Sequence, residues 1–99
     1  MTVFAVEYEY AQDSTELRNE HRPAHRAFLT EYLEEVNVRL LASGPTPVLD
    51  GALLIFAAAN EAALKEVLAL DPFNKVGGLA KTTITEWNPV IGLLSEFAP

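Results

Sequence analysis

His25 stands at the head of an apolar helical stripe. Counted at helical spacing, the stripe is His25, Phe28, Leu29, Tyr32, Leu33 and Val36, while Arg26, Thr30, Glu31, Glu34 and Glu35 fall on the other side. The imidazole therefore points the way the core points. A neutral ring there accepts a proton near pH 7, as a general base must; the competing role is a core-edge histidine bonded to a backbone carbonyl. Asp71 precedes Pro72, and Asp-Pro is a helix N-cap signature: the residue before proline is driven to extended geometry and its carboxylate accepts an N–H from the next turn. Ser43, beside Gly44, offers a hydroxyl to a ligand or satisfies its own turn. Arg18 and Arg22 would clamp a carboxylate or phenolate, or pair at the surface with Glu16 or Glu20, the latter favoured for Arg18 and not for Arg22. His21 and His25 have the i,i+4 spacing of zinc ligands, but Pro23 places His21 ahead of the helix and H-R-P-A-H lacks the glutamate of H-E-x-x-H. No metal and no cofactor is expected, and A-S-G-P is not a nucleophile elbow.

The bulk composition narrows the choice of partner. Lys+Arg number 7 against Asp+Glu 14, a net charge of −7, which disfavours nucleic acid and anionic membranes because both require basic patches. A small-molecule pocket with a few local arginines is compatible with that charge. The chain contains no cysteine, so disulfides, thiolate metal sites and cysteine nucleophiles are excluded. No apolar run approaches the roughly 20 residues that span a bilayer, and M-T-V-F-A-V-E-Y-E-Y has neither the basic leader nor the cleavage site of a signal peptide. A cytoplasmic protein is expected. Its 99 residues suit one small domain, 1–99. A chain of this size buries only roughly 60–65% of its unfolded surface, which makes a second subunit a natural source of further burial.

The elements that must carry these residues follow from periodicity. Phe4, Val6, Tyr8 and Tyr10 alternate with Val3, Ala5, Glu7 and Glu9, predicting a strand over 2–10. Ala11–Asn19 reads as a polar connection, and Pro23 as the first turn of a helix running to about Glu35. His25 would then lie in a first helical turn, where the positive end of the dipole favours the neutral ring. Val38–Pro45 predicts a second strand stopped by Gly44-Pro45, and Ala52–Ala59 a third. Asn60 caps a second helix over Glu61–Leu70, with Leu64, Val67 and Leu68 buried and Glu61–Lys65 paired on its surface. Asp71–Gly78 is a short turn or helix fragment, and Leu79–Trp87 a fourth strand. Tyr8, Tyr10 and Trp87 read as core or seam aromatics. The order β-α-β-β-α-β is the ferredoxin-like split unit, α+β, with two helices on one face of a four-stranded antiparallel sheet. The third strand is apolar on both sides, so the other sheet face needs a cover. A second copy is the expected one, with the apolar tail 88–99 helping to close the seam.

Three motifs, R-P-A-H at Arg22–His25, L-L-A-S-G-P-T-P at Leu40–Pro47 and D-P-F at Asp71–Phe73, taken in this order and at these intervals, resemble the YCII-related (YciI-like) family over nearly the whole chain. The resemblance implies a dimeric α+β barrel akin to muconolactone isomerase. It also implies a pocket holding His25 and Asp71, in which the carboxylate orients the imidazole and a nearby negative charge favours the imidazolium. Capping and orienting are compatible, since a carboxylate has two oxygens. Arg22, Ser43, Gly44 and Pro45 become candidate substrate contacts, and His21, which has no place in the motif, a surface residue. Some relatives are dehydrochlorinases of chlorinated hydroquinones. The expected function is proton abstraction by a His25–Asp71 dyad from a small cyclic or aromatic acid or phenol, as in a lyase or isomerase. Two alternatives stand beside it. One is a non-catalytic homodimer that binds a small anion or serves as an accessory protein to a partner. The other is an interaction-only dimer, in which the dyad atoms would be packed with no cavity beside them.

Overall fold

The computed structural model describes residues 1–98. Strand β1 (Thr2–Tyr10) leads through a tight turn to helix α1 (Thr15–Thr30), which ends in a 3-10 turn (Tyr32–Glu35). Strands β2 (Arg39–Thr46) and β3 (Gly51–Ala58) form a hairpin; helix α2 (Glu61–Leu68), the single-turn helix α3 (Pro72–Lys75) and strand β4 (Leu79–Glu86) follow. The four strands pair antiparallel in the order β2-β3-β1-β4. This is the ferredoxin-like α+β arrangement.

The alternation in β1 divides the two faces as expected. Phe4, Val6 and Tyr8 lie on the helix side with Leu54, Phe56 and Ala58 of β3. Phe28 and Leu29 of α1, Leu33, and Leu64, Val67 and Leu68 of α2 close over them. Each aliphatic or aromatic side chain buried in this way contributes about 1.5–3 kcal/mol. Gly51 opens β3 because nothing larger fits: a Cβ there would overlap the carbonyl oxygen of Tyr8 on the neighbouring strand. The backbone that carries Tyr8 is thereby held close to β3.

Several boundaries differ from the expected ones, among them the ends of α1 at Thr30 and of α2 at Leu68, and two differences have identifiable reasons. Helix α1 begins at Thr15, not at Pro23. Its first turns bury Ser14 and Arg18 rather than aliphatic residues, so hydrophobic periodicity leaves them looking like a loop. Pro23 sits inside the helix, where it forgoes one backbone hydrogen bond, and the Asn19 side chain nearby accepts from Arg22. Strand β2 runs through Gly44-Pro45 to Thr46. It is an edge strand, with β3 as its sheet neighbour, and an edge tolerates proline because the missing donor need not serve a ladder.

The opposite sheet face is covered unevenly. Val3, Ile55 and Ala57 are buried there, but Leu53 is 39% exposed and lies beside Glu7 on β1. The tail after β4 supplies the partial cover. Trp87 N–H bonds the Val3 carbonyl (2.9 Å), Pro89 is buried, and the Phe97 ring lies 5.1 Å from the guanidinium of Arg39, which shares this face with Ala57. Ile91 and Leu93 in the same tail remain in water. Pro99, the last residue of the expected tail, lies outside the described residues. Among the described residues no helix is long and apolar enough to cross a membrane.

Candidate active site

The D-P-F triplet makes the centre of the site. Asp71 is extended (φ −60°, ψ 125°), as a residue before proline must be, and Pro72 starts α3. The Asp71 carboxylate turns back on the helix it caps, and its Oδ1 accepts the Phe73 N–H at 3.0 Å. Both oxygens have further partners from distant parts of the chain. Oδ2 accepts the Tyr8 hydroxyl of β1 at 2.7 Å, and Oδ1 lies 2.8 Å from His25 Nδ1 of α1. Asp71 is 0% exposed, while the His25 side chain retains 14%.

Hydrogen-bond inventory assigns the proton between His25 and Asp71. The Phe73 N–H can only donate, and the Tyr8 hydroxyl is directed at the other oxygen. A carboxylate that accepts on both oxygens needs its third partner to donate as well, so the proton is assigned to His25 Nδ1. In the neutral ring Nε2, the other nitrogen, is then the acceptor. Tyr8 is held firmly as a neutral phenol. Its own burial, then the negative charge of Asp71, then the hydrogen bond to it, push its ionisation far above the ordinary tyrosine value.

Aromatic packing fixes the imidazole plane. The ring stacks on Phe73 with centroids 3.9 Å apart and planes within 5°. Phe73 meets Tyr10 edge-on at 6.4 Å, and Tyr10 is covered on one face by the Arg18 guanidinium at 3.7 Å. Arg18 is 6% exposed and its Nε donates to Ser14 Oγ at 2.9 Å. It is therefore a buried brace and not the surface ion-pair partner expected for it.

A cleft of ≈ 480 Å³ opens beside His25. Arg22, His25, Arg26 and Leu29 of α1 form one wall, Ser43, Gly44 and Pro45 of β2 the facing wall, and Tyr10, Phe73, Ala52 and Leu54 the remainder. The chain thus brings together all the motif residues expected at the site: His25 and Asp71 in contact, with Arg22, Ser43, Gly44 and Pro45 around the adjoining space. His21 is partly buried but does not line it. The cavity also removes the condition on which the interaction-only alternative rested. Among the described residues no group of three or more His, Asp or Glu gathers as a metal-binding set.

Three features escape the sequence. Tyr8 looks like any inward strand residue, and nothing local marks its hydroxyl as a partner of Asp71. Arg18 and Arg26 carry a faint signal: with Arg22 they recur at i, i+4 and i+8, a basic row on one side of α1. The row exists because α1 starts at Thr15. The same shift displaces His25 from a first helical turn to the second half of α1, so the expected influence of the positive helix end does not apply to it.

A family model described as the YCII-related domain matches residues 2–88. The chain belongs to the YCII-related family. No curated protein sequence matches it. Among solved structures, 5-chloro-2-hydroxyhydroquinone dehydrochlorinase (TftG) of Burkholderia phenoliruptrix AC1100, in complex with 2,5-dihydroxybenzoquinone, is similar with a TM-score of 0.73 and 25% identity, over 87% of this chain and 93% of that one. An uncharacterised NIPSNAP domain protein of Burkholderia xenovorans gives 0.55 and 14%, over 90% and 94%. A proposed antibiotic biosynthesis monooxygenase of Bacteriodes thetaiotaomicron VPI-5482 gives 0.56 and 18%, over 93% and 92%. The last two likenesses are of fold alone. The family match and the likeness to the dehydrochlorinase place the chain in the dimeric α+β barrel superfamily.

Proposed function

We propose that this YCII-related protein is a small-molecule enzyme in which His25 removes a proton from a small cyclic or aromatic acid or phenol. One observation carries the reading: the imidazole is bonded through Nδ1 to a fully buried carboxylate, and the same residue lines a cleft. Asp71 orients the ring and balances the positive charge that proton uptake creates. The electron pair left on the substrate then either expels a leaving group from a neighbouring carbon, giving elimination, or moves the double bond and takes the proton back from His25 at another carbon, giving isomerisation. Arg22 and Ser43 hold the oxyanion that develops. The likeness to a dehydrochlorinase with a ring compound bound supports elimination from a ring.

His25→Ala tests this. Turnover should fall by roughly 10²–10⁴-fold while the circular dichroism spectrum is unchanged. A mutant that keeps full rate removes His25 as the base. Ligand binding detected by thermal shift, with no product formed from any ligand that binds, would indicate a non-catalytic small-anion-binding protein using the same cleft.

A second copy of the chain is the proposed cover for the open sheet face. Leu53 and Leu49 are exposed there, and a hollow of ≈ 460 Å³ lies between them and Glu7, Lys81 and Thr83. This hollow is on the side of the sheet away from His25, so pairing through it would leave the cleft open. Light scattering should give twice the chain mass; a monomer at micromolar concentration contradicts the pairing.

A further inference from the structure

We infer that the substrate carries a carboxylate, and that Arg22 and Arg26 together form the clamp that selects it. The inference rests on the reading above only for which atom reacts; the binding claim stands apart from catalysis. Charge is distributed against the composition. The chain has twice as many acidic as basic residues, yet the charged residues lining the cleft are Arg22 and Arg26, with no carboxylate beside them. The one nearby acid, Asp71, is fully buried and engaged by Tyr8, Phe73 and His25, so it is not available to neutralise the arginines. Among the described residues the ion pairs are His25–Asp71 and Lys65–Glu61. Among the described residues, then, neither of the two arginines that line the cleft has a carboxylate partner.

The geometry favours a planar anion on a ring. Arg22 and Arg26 are one helical turn apart on α1, so their side chains rise from the same strip of its surface. The Arg22 guanidinium is 5.9 Å from the centre of the Phe73 ring, the ring on which His25 stacks. Arg22 and the base thus border the same Phe73 ring. Tyr10, Phe73, Ala52 and Leu54 give that ring apolar surface. The choice of cation is informative too. Guanidiniums present forked donors that match a carboxylate on two points, which an ammonium does not, and none of Lys65, Lys75 and Lys81 borders the cleft.

Titrations followed by backbone amide NMR shifts, with benzoate, 4-nitrophenolate and benzyl alcohol as probes, decide the matter. Benzoate should bind the wild-type protein more tightly than either of the others, with shifts at Ser43 and Gly44. Arg22→Gln and Arg26→Gln should each weaken benzoate by about tenfold or more, the loss expected for one charge-assisted hydrogen bond. Benzyl alcohol binding should not change, which shows the cleft is intact. Arg26→Lys should restore only part of the benzoate affinity. Equal binding of benzoate and benzyl alcohol, or benzoate binding indifferent to Arg26→Gln, overturns the clamp, and preference for 4-nitrophenolate overturns the carboxylate. His25→Ala should bind benzoate as wild type does. If that variant also keeps turnover, the base assignment falls and the clamp remains; if it loses turnover while Arg26→Gln binds benzoate normally, the reverse holds.

Discussion

Asn60 and Asp71 are the same device used in two surroundings. Each is a short side chain that caps a helix: Asn60 accepts the Ala63 N–H of α2 at 2.8 Å, and Asp71 accepts the Phe73 N–H of α3 at 3.0 Å. Asn60 is exposed and does nothing else with its side chain in the fold, whereas Asp71 is sealed from water. Burial leaves a carboxylate oxygen that solvent cannot satisfy, so the fold must supply partners from elsewhere. It supplies Tyr8 and His25. A local cap becomes the anchor of a proposed reactive pair because of where the sheet and α1 place it, and not because of any difference in capping chemistry.

Breaking the buried cap should cost most. Asp71→Ala leaves the Tyr8 hydroxyl, the Phe73 N–H and His25 Nδ1 without their shared acceptor, and removing one member of a buried pair costs about 3–5 kcal/mol. Urea denaturation should show a loss of that order. Asp71→Asn, which can still cap, should recover much of the stability and little of the turnover. If it recovers turnover as well, the negative charge on Asp71 is not needed.

Tyr8→Phe sharpens the comparison by removing one partner and sparing the cap. It leaves a buried charged acceptor short of a donor, at about 1.5–3 kcal/mol. The effect depends on pH with a definite sign. Burial and Asp71 raise the Tyr8 ionisation in the folded state above that of an unfolded tyrosine, about 10. The unfolded chain therefore loses this proton first. The contribution of Tyr8 is complete below about pH 10 and declines as pH rises beyond it. Denaturation of wild type and Tyr8→Phe at rising pH should show the gap between them narrowing on the alkaline side. A gap that stays constant would mean that Tyr8 ionises no differently when folded.

Asn60→Ala should cost least, about 1 kcal/mol, with no change in ligand binding. A loss as large as that of Asp71→Ala would show that capping alone, and not burial, accounts for the importance of Asp71.

The legibility of the molecule follows the same division. Strand β1 was readable because large apolar side chains alternate with Glu7 and Glu9, and α2 because Leu64, Val67 and Leu68 recur behind an Asn cap. The first turns of α1 were not. The residues they turn inward are Ser14 and Arg18, and a polar stripe gives no hydrophobic period. Arg18 was misjudged for the same reason: a guanidinium lying on Tyr10 is indistinguishable in sequence from one in water. Pro45 looked like the end of a strand because its tolerance depends on β2 being an edge. The tail was legible as apolar, but its path across the open face toward Arg39 was not.

The sequence by itself determined the order of elements, the capping role of Asp71 and the inward direction of His25, since periodicity and capping act over a few residues of chain. Only the tertiary structure decided that Tyr8, His25 and Asp71 converge, that Arg18 is buried, and that Arg22 and Arg26 border one cleft with no carboxylate partner among the described residues. Tyr8 and Asp71 are 63 residues apart, and His25 and Asp71 are 46. No local preference spans such distances. The register of β1 against its neighbours and the seating of α1 on the sheet set those meetings, through the packing of side chains that have no part in the chemistry.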